Sequence, residues 1–160
     1  MEILNYDREK AVAYARKWAF GRNPAFYDFS NIGGDCTNFA SQCIYAGAGI
    51  MNYTPTFGWY YISANDRTPS WTGVEYLYNF LVNNDGAGPF AEEVGLDKLE
   101  IGDIVQLGRA TGDFYHSPVV VGFSGRNILV AAHSYDVYNK PLSSYNAAKY
   151  RGIHILGVRK

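Results

Sequence analysis

The side chain best placed to do chemistry in this chain is Cys36, within Gly33-Gly34-Asp35-Cys36-Thr37-Asn38-Phe39-Ala40-Ser41-Gln42-Cys43. Cys36, Phe39, Ala40, Cys43, Ile44 and Gly47 recur at helical spacing, so Cys36 falls in the first turn of a predicted helix with Asp35 as N-cap. A helix N-terminus carries unpaired N–H groups and partial positive charge. Both stabilise a thiolate and lower the thiol pKa. The same N–H groups can receive an oxyanion formed on a substrate carbonyl. The preceding glycines let backbone approach closely. Cys43, mid-helix on an apolar face, reads instead as a small buried hydrophobe.

A thiol nucleophile needs a base, and the chain holds 3 His. His116 stands just before the β-branched run Ser117 to Phe123, where a side chain can point from a sheet edge toward a helix start. With a hairpin turn centred on Gly125, position 116 lies opposite about position 134, which brings His133 near His116. A polar group beside the base orients the imidazole and stabilises its cation. His133 is the first candidate for that role and Asp136 the second. His154 sits inside the last strand pattern and reads as structural.

These residues need a scaffold that brings a helix start to a strand start. Three helical patterns come first: Asp7 to about Phe20, the helix after Asp35, and about Thr72 to Val82, where Thr72 and Glu75 have capping-box spacing. A long aromatic connection, Asn52 to Ser70, separates the second from the third. Strand patterns follow at Glu100 to Leu107, Ser117 to Phe123, Asn127 to His133 and Ile153 to Val158, with a turn at Ser124 to Asn127. Helices followed by antiparallel strands define the α+β class. The 160 residues fit one domain, 1–160.

Composition narrows the function. The hydrophobic content is 48%, the charged content 18% and the net charge -1, so nothing points to nucleic acid or to an anionic membrane surface. No run is long and apolar enough for membrane insertion. Met1 to Arg8 is polar and does not read as a signal peptide, and compartment and oligomeric state stay open. Cys36 and Cys43, seven residues apart on one helix, have Cα atoms on the order of 10 Å apart, too far for a disulfide. The His spacing suits no metal site, and no cofactor motif is present.

Tyr6-Asp7-Arg8, Ala11 to Ala15, Trp18, Arg22-Asn23-Pro24, the Asp35-Cys36-Thr37-Asn38-Phe39 block, Ser70-Trp71-Thr72, Gly102-Asp103-Ile104-Val105, His116-Ser117 and Ala132-His133-Ser134 together resemble the bacterial putative amidase domain family. That family is similar to the NlpC/P60 and CHAP domains. The resemblance spans essentially the whole chain. It implies a papain-like (NlpC/P60-type) fold, with N-terminal helices packed on an antiparallel β-sheet. It implies Cys36 as nucleophile, His116 as general base and acid, and a polar third residue that corresponds best to His133. The implied activity is hydrolysis of a peptide or peptidoglycan-derived amide through a thioester, with no metal and no cofactor. Ser30, Asn31 and Tyr27 are candidate oxyanion partners. Trp71, with Phe57 to Tyr61, is expected either in the groove or in the core. Two rivals are an acyltransferase that passes the thioester to an amine and a binding module that has lost the chemistry.

Overall fold

The structure is a computed structural model that describes all 160 residues. Helix α1 (Arg8–Trp18) starts where the Asp7 side chain accepts the Lys10 N–H at 3.1 Å, satisfying one of the orphan donors of the first turn. It buries Ala11, Val12 and Ala15. Helix α2 (Cys36–Ala48) ends at Gly49, whose φ of 71° is the left-handed conformation that favours glycine. Its apolar residues Phe39, Ala40, Cys43 and Ile44 are fully buried.

The third helical pattern is divided. A short α3 (Pro69–Thr72) precedes α4 (Val74–Asn83), and the Thr72–Glu75 capping box does not form. Both of its members are engaged elsewhere. The Thr72 hydroxyl accepts from Arg67 Nε, and Glu75 pairs with Arg151 at 2.9 Å.

The strands are β1 (Ile3–Leu4), β2 (Tyr61–Ser63), β3 (Asp66–Arg67), β4 (Gly88–Val94), β5 (Ile104–Gly108), β6 (Phe114–His116), β7 (Val119–Ser124), β8 (Asn127–Ala132), β9 (Val137–Pro141) and β10 (Lys149–Arg159). β2 and β3 form a separate hairpin inside the long aromatic connection. The other eight make one antiparallel sheet in the order β1-β10-β5-β7-β8-β9, with β4 on β10 and β6 on β5. The molecule is thus of mixed α+β class. The expected run from Ser117 to Phe123 is broken at Pro118. Proline has no N–H to give a ladder, so β6 ends at His116 and β7 starts at Val119.

The sheet buries residues on both faces, which is why β7 reads as a continuous β-branched run. Val119 and Val121 join Ala131, Ile153 and the helices in the main core, while Val120 faces a smaller cluster with Val105, Leu107 and Val130. Helix α2 therefore lies on the sheet beside the strands that follow Pro118.

Candidate active site

Cys36 is the first residue of α2 and is half-buried. Its Sγ lies 3.7 Å from Thr37 Oγ1, which is 3.3 Å from Ser117 Oγ. Ser117 Oγ accepts from Gln106 Nε2 at 3.1 Å, and Gln106 Oε1 accepts from Arg151 Nε at 3.1 Å. A ladder of polar side chains from β5 and β10 thus forms the floor under the sulfur. The break at Pro118 leaves the Ser117 N–H aimed at Sγ, together with the Thr37 N–H. The Cys36 N–H has neither a backbone nor a side-chain acceptor, as expected at an uncapped helix start.

Burial nevertheless pushes the Cys36 thiol above its ordinary value, against the pull of the hydroxyl and N–H groups. The lowered thiol pKa expected from the helix start is therefore not what this environment produces, because desolvation of the thiolate outweighs the local donors.

His116 ends β6 opposite Leu107 and is 8% exposed. Its ring lies against Tyr115 at 6.5 Å and Tyr145 at 5.9 Å between centroids. Burial, and secondarily the Lys140 cation, lower its pKa to about 4. Cys36 and His116 line one cleft of about 330 Å³ with Gly34, Tyr115, Lys140 and Tyr145. A larger cavity, about 550 Å³, is lined by Asn52, Phe57, Tyr76, Asn79 and neighbours. It shares no residue with the first and contains neither Cys nor His, so chemistry rather than size singles out the smaller one.

His133 is placed differently from the expectation. It is 1% exposed, its Nδ1–H donates to Asp35 Oδ2 at 2.6 Å, and its ring stacks on Phe39 at 4.1 Å. Its Nε2 faces the Trp18 carbonyl at 2.9 Å and Arg22 Nη1 at 3.1 Å. Both ring nitrogens are therefore committed, and neither touches His116. The reason is Asp35, which turns inward instead of capping α2: its Oδ1 accepts from the Phe29 N–H at 2.9 Å and Asn38 Nδ2 at 2.8 Å. Asp136 also faces elsewhere, pairing with Arg22 at 3.0 and 3.1 Å. His133 thus supports the residue that precedes Cys36.

The residues suggested for substrate contact do not line the cleft. Trp71 is 0% exposed, packed on Trp59 at 4.7 Å, with Nε1–H donating to Asn38 Oδ1, which makes it core. The Tyr27 carbonyl accepts from Asn38, and its N–H donates to the Tyr61 hydroxyl. Asn31 is exposed outside the cleft. The Ser30 hydroxyl donates to Asp28 and accepts from Arg22. Sequence reasoning missed Tyr115, Lys140 and Tyr145. The last two lie in and just after β9, a strand whose Val137-Tyr138-Asn139-Lys140-Pro141 has no alternation and which carries Asn139 at φ 57°. No periodic signal marked it.

The structure is a mixed α+β domain that sets a helix-start cysteine and a buried histidine on one cleft. The chain belongs to the Putative amidase domain family, whose description matches residues 5–156 and points, at a coarse level, to hydrolysis of amides. It is also 36% identical over 138 residues to the uncharacterized protein YhbB of Bacillus subtilis (strain 168). That match covers 83% of this chain and 43% of the relative, so the chain spans less than half of the relative's length. No solved structure matches the chain.

Proposed function

We propose that the protein is a cysteine amidase or peptidase that cleaves an amide bond through a thioester on Cys36. The observation that carries this reading is the shared cleft. The only histidine with no side-chain hydrogen bond, His116, lines the same cavity as the thiol at the start of α2. Burial keeps this imidazole unprotonated across the physiological range, so a ring nitrogen is open as an acceptor, and the same burial makes it a weaker base than a solvated histidine.

In the first step His116 takes the Cys36 proton as Sγ bonds to the amide carbon. The oxyanion accepts the Cys36 N–H. His116 then returns the proton to the leaving amine as the C–N bond breaks. Water, deprotonated by His116, attacks the thioester and releases the acid, restoring the thiol. His133 acts through Asp35, holding the helix start in place. Tyr135, at the cleft and 93% exposed, leaves the site open to water, which favours hydrolysis over acyl transfer. The order of parts, a Cys-bearing helix packed on a sheet that carries the His, supports a papain-like reading of the NlpC/P60 type. The substrate class on this reading is a peptide or peptidoglycan-derived amide.

The test is alkylation of Cys36 by iodoacetamide in a Cys43→Ala background, with His116 kept or changed to Ala. Between pH 6 and 8 the parent is expected to label at least roughly tenfold faster than the His116→Ala variant, because the imidazole removes the thiol proton. Equal rates with and without His116 would sink the catalytic pair.

A further inference from the structure

Two charged side chains line the cleft, and they are not equivalent. Asp35 has no exposed side-chain surface, and its oxygens are taken by Phe29, Asn38 and His133. Lys140 is half-buried on β9 and makes no ion pair. Its Nζ sits 4.3 Å above the Tyr145 ring, which in turn packs on His116. The cation is thereby fixed beside the reacting groups instead of sweeping through solvent. The carboxylate of Asp136, four residues before Lys140 in sequence and not part of the cleft lining, is held in both its oxygens by Arg22. Around Lys140 the cleft wall carries Tyr115, Tyr135 and Tyr145, whose phenol groups have no hydrogen-bond partner and can donate. The lowering of the His116 pKa by Lys140 places its field at the imidazole.

A half-buried cation with no counter-charge of its own is open to pairing with an anion that arrives with the substrate. We infer that Lys140 selects amide substrates bearing a free carboxylate close to the scissile carbonyl, with the tyrosine hydroxyls as additional donors. The inference rests on the Cys36–His116 cleft being the reactive site. It makes an acidic peptide a better substrate than the same peptide with that carboxylate amidated.

Two alkylating agents of nearly equal size test this without a known substrate. Iodoacetate carries a carboxylate beside the reacting carbon, and iodoacetamide carries a neutral amide there. The ratio of their rates at Cys36, measured with Cys43→Ala at low salt, cancels the thiolate fraction. Lys140→Met is expected to lower the iodoacetate/iodoacetamide ratio about tenfold, the effect of one fixed charge at short range in a partly wet site. Lys140→Arg restores the ratio, Lys149→Met at an exposed site outside the cleft leaves it unchanged, and added salt shrinks the difference. Rapid labelling whose ratio ignores Lys140→Met overturns the inference and leaves the proposed function standing. Labelling by either reagent that is indifferent to His116 removes the proposed function and this inference with it.

Discussion

The fold contains the same polar kit twice, once far from the cleft and once beside it. Asp103, fully buried, accepts from Arg8 Nη1 at 2.7 Å, His154 Nδ1–H at 2.7 Å, the Ile155 N–H at 2.9 Å and the Glu100 N–H at 2.8 Å. Asp35, 1% exposed, accepts from His133 Nδ1–H, the Phe29 N–H and Asn38, with Arg22 Nε 3.6 Å away. Each is an aspartate fixed by an arginine, a histidine and backbone. The Asp103 cluster joins α1 to β10 and has no side chain in the cleft. The Asp35 cluster stands one residue before Cys36. The third histidine, His116, has no carboxylate partner at all. The comparison teaches that a buried Asp–His pair is an anchoring device in this fold, and that the imidazole lining the cleft is the one that stands outside such a pair.

The largest effect that separates the two clusters is on stability. Asp103→Ala leaves the His154 Nδ1–H and two backbone N–H groups without their acceptor and takes the buried carboxylate from Arg8, and is expected to cost about 3–5 kcal/mol. Asp103→Asn, which keeps the volume, covers the case in which the alanine variant does not fold. Asp35→Ala is expected to cost less, because Arg22 retains Asp28 and Asp136, but to slow Cys36 alkylation well below the parent. Urea unfolding and labelling on the same samples check both. The comparison breaks if folded Asp103→Asn protein also loses Cys36 reactivity, or if Asp35→Ala leaves it intact.

Next in size is the pH dependence set by His116. Its folded pKa of about 4 lies below the ordinary 6.5, so the unfolded chain binds this proton first. The stability linked to it is fully present above 6.5 and is lost as pH falls toward 4. The loss amounts to roughly 3 kcal/mol at the acid end. His116→Gln removes that slope from the stability–pH curve between pH 4 and 6.5. A parent curve as flat as the variant's in that window would mean the imidazole is solvated, and the contrast with the anchored histidines would fail.

Much of this was legible in the sequence for identifiable reasons. Helices α1 and α2 announced themselves by apolar spacing, and the structure sets Asp7 at the start of the first and Gly49 at the end of the second. Strands β7 and β8 did so by β-branched runs around Gly125, at φ 60°. Strand β4 shows no strand pattern in the sequence, because Gly88-Pro89 and Glu92-Glu93 interrupt any apolar alternation, yet its register on β10 is continuous until a shift near Ile155. The strand pattern did place His133 at the end of β8, and the hairpin estimate set it beside His116, which its ring nitrogens do not touch. What it lacked was Asp35 as a competitor for the ring, since two residues 98 apart in sequence meet only through packing. Trp71 could not be assigned to groove or core from sequence because both environments favour aromatic residues, and its zero exposure decides for the core.

The smallest effect concerns Asp136, the second candidate for the group behind His116. It holds Arg22 through both oxygens, but the two side chains are 29% and 28% exposed, so water screens the pair. Arg22 also keeps the Ser30 hydroxyl, the Gly21 carbonyl and Asp28. Asp136→Asn should therefore lower stability by about 1 kcal/mol or less. Cys36 alkylation should stay within roughly twofold of the parent, since the Asp35–His133 hydrogen bond is untouched. A loss of labelling as deep as that of Asp35→Ala would mean that Arg22 transmits the position of the Ser134–Asp136 turn to the start of α2. In that case the anchoring unit would be the whole cluster rather than the Asp35–His133 pair, and the separation between the cleft wall and Cys36 would no longer hold.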